Sequence, residues 1–225
     1  MQEKSLNKNH LEELKKTLNI HQNGKNLSPM VTISTHNVRG INKITKQDNI
    51  LEEMKERNID ILGISETKLA HTTTNFVFNN NSNYKCFTSS SENKNRNNRV
   101  ALIITKELEK HVERVTRLEG HIIAIHMLFK ENKLCIIQVY LPNDKSESIK
   151  YQKALRKIIG EKIKIKTKII VMGDFNATSN LKTDRPSLAS RSATDRPKAE
   201  IFDYLTNWEF TDIQKSWKEE ILLLT

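Results

Sequence analysis

The sequence has few cysteines, no long apolar run and no apolar stretch near its start. Its two cysteines, Cys86 and Cys135, lie far apart within apolar segments, so they predict reduced core thiols rather than a disulfide framework or a zinc site. No apolar run approaches the roughly 18 residues that a membrane-spanning helix needs. Residues 1–10 are polar and lack the apolar stretch of a secretory signal peptide. These absences predict an intracellular protein with no membrane partner.

Basic residues are in clear excess over acidic ones. Lys and Arg number 37 and Asp and Glu number 27 in 225 residues, which gives a formal net charge of +10. This excess favours a polyanionic partner, most simply nucleic acid. The alternative is that Lys and Asn only cover a solvated surface. Leu, Ile, Val and Phe account for 61 of the 225 residues, about 27%. That share exceeds the roughly 20% below which disorder is expected, so a sizeable core is possible.

Two regions can be distinguished along the chain. Residues 1–30 are predicted to form an N-terminal extension with one short amphipathic helix, because Leu11, Leu14 and Leu18 recur at helical spacing. Residues 31–225 are predicted to form the main domain. The sequence does not indicate an oligomeric state.

The main domain alternates between apolar strands and amphipathic helices. Strands are predicted at residues 31–38, 59–64, 84–88, 100–104, 121–129, 133–141 and 168–175. Helices are predicted at residues 44–57, 147–165 and 198–207. Several strands are apolar throughout, which indicates sheets that are covered on both faces. The predicted fold class is therefore α/β, as a layered sandwich with mixed sheets.

Polar side chains stand at the ends of four of these strands. Asn37, Glu66 and Tyr140 each end one strand, and Asp174 and Asn176 end a fourth. Each alone is a weak signal, because a polar residue at a strand end is usually a turn former or a helix cap. Together they could meet at a common rim, where carboxylate and amide oxygens would suit Mg²⁺. On a basic protein, such a rim predicts metal-assisted attack on a phosphate ester.

The segments around these residues also resemble a known family. They occur in the order Thr35-His-Asn-Val-Arg-Gly40, Ile64-Ser-Glu-Thr-Lys68, Val139-Tyr-Leu-Pro-Asn143 and Gly173-Asp-Phe-Asn176. In this order they resemble the endonuclease/exonuclease/phosphatase superfamily, in particular the apurinic/apyrimidinic-type endonuclease domains of non-LTR retrotransposons. The resemblance covers about residues 31–217. It implies a DNase I-like four-layered α/β sandwich of two mixed sheets.

The resemblance further implies hydrolytic nicking of DNA with the help of a divalent cation. The expected ion is Mg²⁺, with Mn²⁺ as the alternative. By resemblance, Asn37 and Glu66 would hold the metal, with Glu66 as the direct ligand. Asp174 would orient or deprotonate the attacking water.

Four more residues receive roles from the resemblance alone. Asn176 would hydrogen-bond the scissile phosphate, and Tyr140 would contact the phosphate or the developing charge. Asn143 would brace the site. Lys68 would support the metal-binding glutamate or the DNA backbone.

Several other polar residues receive structural interpretations. His36 lies next to Asn37 but on the alternate face of a regular strand, so it is predicted to be packed or hydrogen-bonded rather than catalytic. His121 and His126 are predicted to lie in the core or on a sheet surface. The Asp-Arg pairs at 184–185 and 195–196 are predicted to form surface ion pairs.

One part of the family pattern has no counterpart in this sequence. The family carries a terminal Ser-Asp-His whose histidine stabilises the phosphate, whereas here no histidine follows Asn176. We therefore expect an incomplete domain that lacks its last strands, with impaired or absent hydrolysis. Two alternatives stay open, namely a phosphatase of the same superfamily and a non-catalytic nucleic-acid-binding remnant. A nuclear location is expected if the chain is part of a mobile-element protein.

Overall fold

The structure is a computed structural model that describes residues 31–69, 78, 81–89, 100–130, 132–177 and 200–213. Its backbone divides into two units, one formed by Glu12–Asn176 and the other by Met1–Leu11 together with Ala177–Thr225. The amphipathic helix predicted near Leu11 and the ion pairs predicted at 184–185 and 195–196 lie outside the described residues. Within those ranges, no helix is long and apolar enough to cross a membrane.

The first sheet of the unit Glu12–Asn176 has four strands with mixed pairing. They are β1 (Ile33–Asn37), β2 (Ile61–Ser65), β3 (Tyr84–Ser89) and β4 (Val100–Thr105), in the spatial order β1-β2-β4-β3. β1 and β2 run parallel, whereas β4 pairs antiparallel with both β2 and β3. Helix α1 (Ile44–Glu56) connects β1 to β2, because parallel neighbours need a crossover connection.

The second sheet of this unit also has four strands. They are β5 (Val112–Leu118), β6 (Ile122–Phe129), β7 (Asn132–Tyr140) and β8 (Lys168–Asp174), in sequential order. The first three pair antiparallel, and β8 pairs parallel with β7. The short helix α2 (Lys106–Glu109) precedes β5, and the long helix α3 (Lys145–Lys164) makes the crossover from β7 to β8.

The two sheets pack face to face, with one helix on the outer face of each. Side chains of both sheets form what we name the inter-sheet core, which includes Ile61, Val100, Leu102, Ile104, Ile123, Ile125, Met127, Leu134 and Ile136. On the first sheet, α1 buries Ile50, Leu51 and Met54. On the second, α3 buries Tyr151, Leu155, Ile158 and Ile159. This arrangement of four layers with two mixed sheets confirms the predicted fold class.

One strand was not predicted. The apolar residues of β5 are Val112, Val115 and Leu118, and a spacing of three is not the alternation of a strand. A register shift between Val112 and Arg114 interrupts its pairing with β6. Such a bulge adds a residue to one strand and so breaks the two-residue period.

The other predicted elements lie within a few residues of their expected positions. The hairpin between β6 and β7 turns at Lys130, which has a φ of 54°. Helix α3 begins earlier than predicted because Asp144 is its N-cap and accepts a hydrogen bond from the backbone N–H of Glu147 at 2.9 Å. In the second unit, α4 (Glu200–Asn207) corresponds to the last predicted helix.

Both cysteines are free thiols. Burial raises the pKa of Cys86 and of Cys135 to about 12. Each thiol therefore stays protonated at neutral pH and is a poor nucleophile and metal ligand. This agrees with the predicted role of the cysteines as core thiols.

Candidate functional site

The parallel pair β1 and β2 brings an amide and a carboxylate together. In the register of this pair Asn37 lies beside Ser65, so Glu66 is the first residue beyond the end of β2. The side-chain nitrogen Nδ2 of Asn37 donates to Oε1 of Glu66 at 2.8 Å. Two groups that are far apart in the sequence thus meet because both strands end at the same level.

The second sheet supplies another carboxylate to the same amide. Asp174 ends β8, where it pairs with Tyr140 at the end of β7. Nδ2 of Asn37 also donates to Oδ2 of Asp174, at 3.1 Å. The two carboxylate oxygens lie 2.8 and 3.1 Å from one nitrogen, so the distance between them is at most 5.9 Å. Ends of strands from both sheets therefore converge at one amide.

Asn176 completes the arrangement around Asp174. Its backbone N–H donates to Oδ1 of Asp174 at 3.0 Å, and its Nδ2 donates to the carbonyl of Leu141 at 2.7 Å. The backbone N–H of Leu141 in turn donates to the carbonyl of Asp174 at 2.9 Å. Each carboxylate oxygen of Asp174 therefore accepts one hydrogen bond, and these two bonds fix the orientation of the carboxylate.

Tyr140 is buried beside these groups. Its pKa is raised, chiefly by burial and then by the negative charges of Glu66 and Asp174, while a hydrogen bond with Asn176 acts in the opposite direction. The phenol therefore keeps its proton at neutral pH and can donate a hydrogen bond. We name Asn37, Glu66, Tyr140, Asp174 and Asn176 the strand-end cluster.

The loops that carry the cluster have unusual backbone conformations. Arg39, Glu66, Lys68 and Asn176 have φ values of 48°, 56°, 53° and 46°. Left-handed backbone is unfavourable for residues with a side chain, and it persists where surrounding contacts enforce it. Here the backbone N–H of Gly40 donates to the carbonyl of Glu66 at 2.7 Å, which ties the loop after β1 to the loop after β2.

Two of the predicted site residues, Lys68 and Asn143, make weak or no contacts with the strand-end cluster. Nζ of Lys68 lies 3.9 Å from Oε2 of Glu66, and the lysine side chain is 47% exposed, so their ion pair is weak. Asn143 is exposed, and in the described part of the chain its side chain makes no hydrogen bond to the cluster. The structure thus brings five of the seven predicted residues together, places Lys68 at their edge and leaves Asn143 outside.

The donor set of the cluster fits a hard divalent cation. Within the described ranges, no three His, Cys, Asp or Glu side chains form a group that could hold a metal ion. Mg²⁺ does not need such a group, because it binds proteins through one or two carboxylates and keeps several waters. Glu66 and Asp174 offer two converging carboxylates. Asn37 faces them with its nitrogen, and its Oδ1 accepts a hydrogen bond from the backbone N–H of Arg39 at 3.2 Å.

The histidines lie outside the cluster. His36 is on the face of β1 opposite to Asn37, as predicted, but its side chain is exposed and has no hydrogen bond among the described residues, so the prediction that it is packed or hydrogen-bonded is wrong. His36 is exposed because β1 is the edge strand of the described sheet, and α1 does not cover His36 on that face. His121 and His126 are buried, which confirms the first of their two predicted positions, the core or a sheet surface.

Two residues near the cluster received no role of their own in the sequence analysis. Gly173 has a φ of 132°, and any Cβ at this position would overlap the backbone of Val139, so glycine is needed where β8 approaches β7. Gln138 is fully buried within an apolar strand and bonds to Thr35 of the other sheet at 3.1 Å. A glycine and a buried amide within apolar strands were the signals that could have identified them.

Comparisons with known proteins agree with this arrangement. Residues 34–218 match the model of the family described as "Endonuclease/Exonuclease/phosphatase family". Craniofacial development protein 2 from Bos taurus is 31% identical over 148 residues, which are 64% of this chain and 24% of that protein. The same protein from Tragulus javanicus is 30% identical over 64% of this chain and 25% of its own length. The chain thus spans about a quarter of the curated relatives that it matches.

Solved structures show the same fold. An AP endonuclease from Archaeoglobus fulgidus superposes with a TM-score of 0.52 at 19% identity, over 67% of this chain and 59% of that one. The AP endonuclease LMAP from Leishmania major superposes with a TM-score of 0.57 at 13% identity, over 75% of this chain and 63% of that one. At these identities the likeness establishes the fold alone.

Proposed function

This chain belongs to the endonuclease/exonuclease/phosphatase family, and on that premise we propose that it hydrolyses phosphodiester bonds in DNA as a Mg²⁺-dependent endonuclease of the retrotransposon type. The observation that carries the proposal is the amide of Asn37, whose single nitrogen joins carboxylates from two sheets. Two like charges held this close are unfavourable unless a cation or a donor compensates them. Their convergence therefore supports a site for a cation and an anionic substrate.

Glu66 is the carboxylate that would bind Mg²⁺ directly, or Mn²⁺ in its place, with Asn37 as its second metal-binding residue. The metal role predicted for Asn37 requires a 180° rotation of its amide, which would turn Oδ1 toward the carboxylates. When bound, the ion would neutralise phosphate oxygens and stabilise the leaving group.

Asp174 is the proposed group that orients or deprotonates the attacking water. An ionised carboxylate only accepts hydrogen bonds, and its two oxygens offer about four acceptor sites. In the structure the donors Asn37 and Asn176 take one site on each oxygen, and rotation of the Asn37 amide would free one more site on Oδ2. Each oxygen keeps a further lone pair for a water molecule, in a direction that these contacts fix.

Asn176 and Tyr140 are the proposed donors to the phosphate. The NH₂ group of Asn176 donates one proton to the carbonyl of Leu141 and also hydrogen-bonds Tyr140, so it would reach a phosphate by exchanging the contact with Tyr140. The raised pKa of Tyr140 keeps its hydroxyl protonated. Fixed donors that face developing negative charge stabilise a transition state more than mobile water does.

DNA is the proposed polyanionic partner. The sequence carries a formal charge of +10, and the exposed side chains of Arg39 and Lys68 follow directly on the strand ends of the cluster. Contacts of this kind attach a duplex through its phosphates and do not read its sequence.

A plasmid-nicking assay tests the proposal. The full chain is incubated with supercoiled plasmid and Mg²⁺, and the rate of conversion to nicked circles is measured for the wild type, Asp174→Asn and the matched control Asp48→Asn on the exposed face of α1. We expect Asp174→Asn to lower the rate by about 100-fold to 10,000-fold, and Asp48→Asn to leave it unchanged. EDTA should abolish nicking, and Mn²⁺ should restore it. An unchanged rate for Asp174→Asn, or activity in EDTA, would contradict the proposal.

Non-catalytic DNA binding is the second candidate function. It is favoured by the formal charge of +10, which serves attachment to a duplex without requiring any reaction. This candidate predicts duplex binding that weakens steeply with salt but no nicking by a folded chain. A phosphomonoester substrate in the same assay separates both candidates from a phosphatase, which would cleave it and leave the plasmid intact.

A further inference from the structure

Gln138 is a buried polar residue whose hydrogen bonding is incomplete. It lies on β7 with its side chain in the space between the sheets, and it is fully buried. Its Oε1 accepts a hydrogen bond from the hydroxyl of Thr35 at 3.1 Å. Its Nε2 is buried and has no hydrogen-bond partner among the described residues. A buried polar group without a partner destabilises a fold, so an apolar side chain would suit the core better.

Gly63 makes room for this amide. Any Cβ on residue 63 would overlap Oε1 of Gln138, and it would also lie 2.8 Å from the terminal methyl of Met172. The missing side chain on β2 therefore creates the gap through which Gln138 reaches the first sheet. Met172 lies beside Gln138 in the register of β7 and β8.

Gln138 and the residues that it contacts on β1 and β8 each precede a member of the strand-end cluster by two positions. Residues two apart on a strand share a face, so the side chain that precedes a cluster member by two positions lies directly beneath it. The pairs are Thr35 and Asn37, Gln138 and Tyr140, and Met172 and Asp174. Gln138 thus joins three of the strands that carry the cluster, and Gly63 of the fourth strand accommodates it.

We infer that Gln138 is a positioning residue that fixes the offset between the two sheets beneath the strand-end cluster. This inference rests on the proposed function. Apolar contacts of the inter-sheet core are non-directional and tolerate small sliding of one sheet over the other. The bond from Thr35 to Gln138 is directional and ties β1 to β7. Since Asn37 must reach Asp174 across the same gap, this tie sets the distance between them.

The variant Gln138→Met separates positioning from a structural role. Methionine has a similar length, removes the hydrogen bond and also removes the unpartnered amide. We expect a melting temperature that is unchanged or higher, together with a nicking rate that falls about 10-fold to 100-fold at an unchanged KM for DNA. A structural role predicts the reverse, a lower melting temperature with a normal rate for the folded protein. That result would overturn the inference.

A double-mutant cycle with Thr35→Val identifies the contact. If the two side chains act through their shared hydrogen bond, the double variant loses no more activity than either single variant. Losses that multiply would show independent effects and would contradict the inference. Gln152→Met, on α3 and remote from the cluster, is the matched control and should keep the wild-type rate.

A second measurement does not depend on nicking. In a ¹⁵N-labelled full chain, the side-chain NH₂ signals of Asn37 are assigned from their loss in Asn37→Ser, and their exchange with solvent is measured. We expect several-fold faster exchange in Gln138→Met, because Asn37 loses its fixed carboxylate partners. Equal exchange in both proteins would overturn the inference. If the wild type does not nick DNA, the proposed function fails, and this comparison still decides the role of Gln138.

Discussion

Leu102 and Ile136 of the inter-sheet core are fully buried on regular strands, whereas Glu66 and Asn176 of the strand-end cluster are polar and have left-handed backbone. The two regions are built from the same strands, a few residues apart. In the core every side chain gains from burial and each contact is replaceable. In the cluster each group is held by one or two specific hydrogen bonds.

The distribution of backbone strain separates the same two regions. Four of the ten non-glycine residues with positive φ in the described part of the chain are in the cluster or its loops. None of the residues named in the inter-sheet core is among them. Because a left-handed residue costs about 1 kcal/mol, the core must supply the free energy that keeps the cluster in place. Changes to the core should therefore alter stability, and changes to the cluster should alter activity.

The largest expected effect comes from removing core volume. Leu102→Ala deletes a fully buried side chain between the sheets, and we expect the free energy of unfolding to fall by about 2–5 kcal/mol. Urea denaturation followed by circular dichroism measures the loss. The nicking rate per folded molecule should stay within about twofold of the wild type. A large loss of rate at full folding would show that core and cluster are not separable in this way.

The next effect concerns His126, a polar group in the core rather than in the cluster. Burial, with smaller contributions from the positive charges of Lys162 and Arg114, lowers its pKa from 6.5 to about 4, and its Nε2 lies 2.9 Å from the hydroxyl of Thr116. Between these two pKa values the unfolded chain binds the proton and the folded chain does not. Stability is therefore highest above pH 6.5 and is lost as the pH falls toward 4.

The loss from His126 amounts to about 3 kcal/mol across that range. His126→Gln keeps a hydrogen-bonding group beside Thr116 and cannot titrate, so its urea midpoint should depend less on pH than that of the wild type. Equal slopes for wild type and His126→Gln would mean that His126 does not stay neutral in the folded protein.

The fold could be predicted from the sequence because its signals are local. Apolar runs and amphipathic periods gave most strands and the helices α1, α3 and α4. β5 was missed because its bulge removes the alternation on which strand prediction depends. The order of strands within each sheet is not encoded in any local pattern, and the family resemblance implied two mixed sheets without their strand order.

The sequence predicted which residues belong to the candidate site, but it did not predict the hydrogen bonds between them. All five residues of the strand-end cluster stand out as polar groups at strand ends, and the resemblance added their roles. The bond from Asn37 to Asp174 joins residues that are 137 positions apart, across two sheets. Its geometry depends on how the sheets are offset, and that offset depends on buried residues such as Gln138 and Gly63. No local pattern predicts a contact of this kind.

The smallest expected effect tests positive φ away from the cluster. Lys166 has a φ of 53° and follows the C-cap of α3, a position that favours glycine. Lys166→Gly should raise the free energy of unfolding by about 0.5–1 kcal/mol without changing the nicking rate. Lys164→Gly, in the last turn of the helix, should lower it by about 1 kcal/mol and is the matched control. If Lys166→Gly were destabilising, left-handed backbone would not carry the cost assigned to it here. The left-handed residues in the cluster loops would then not require the core to supply additional free energy.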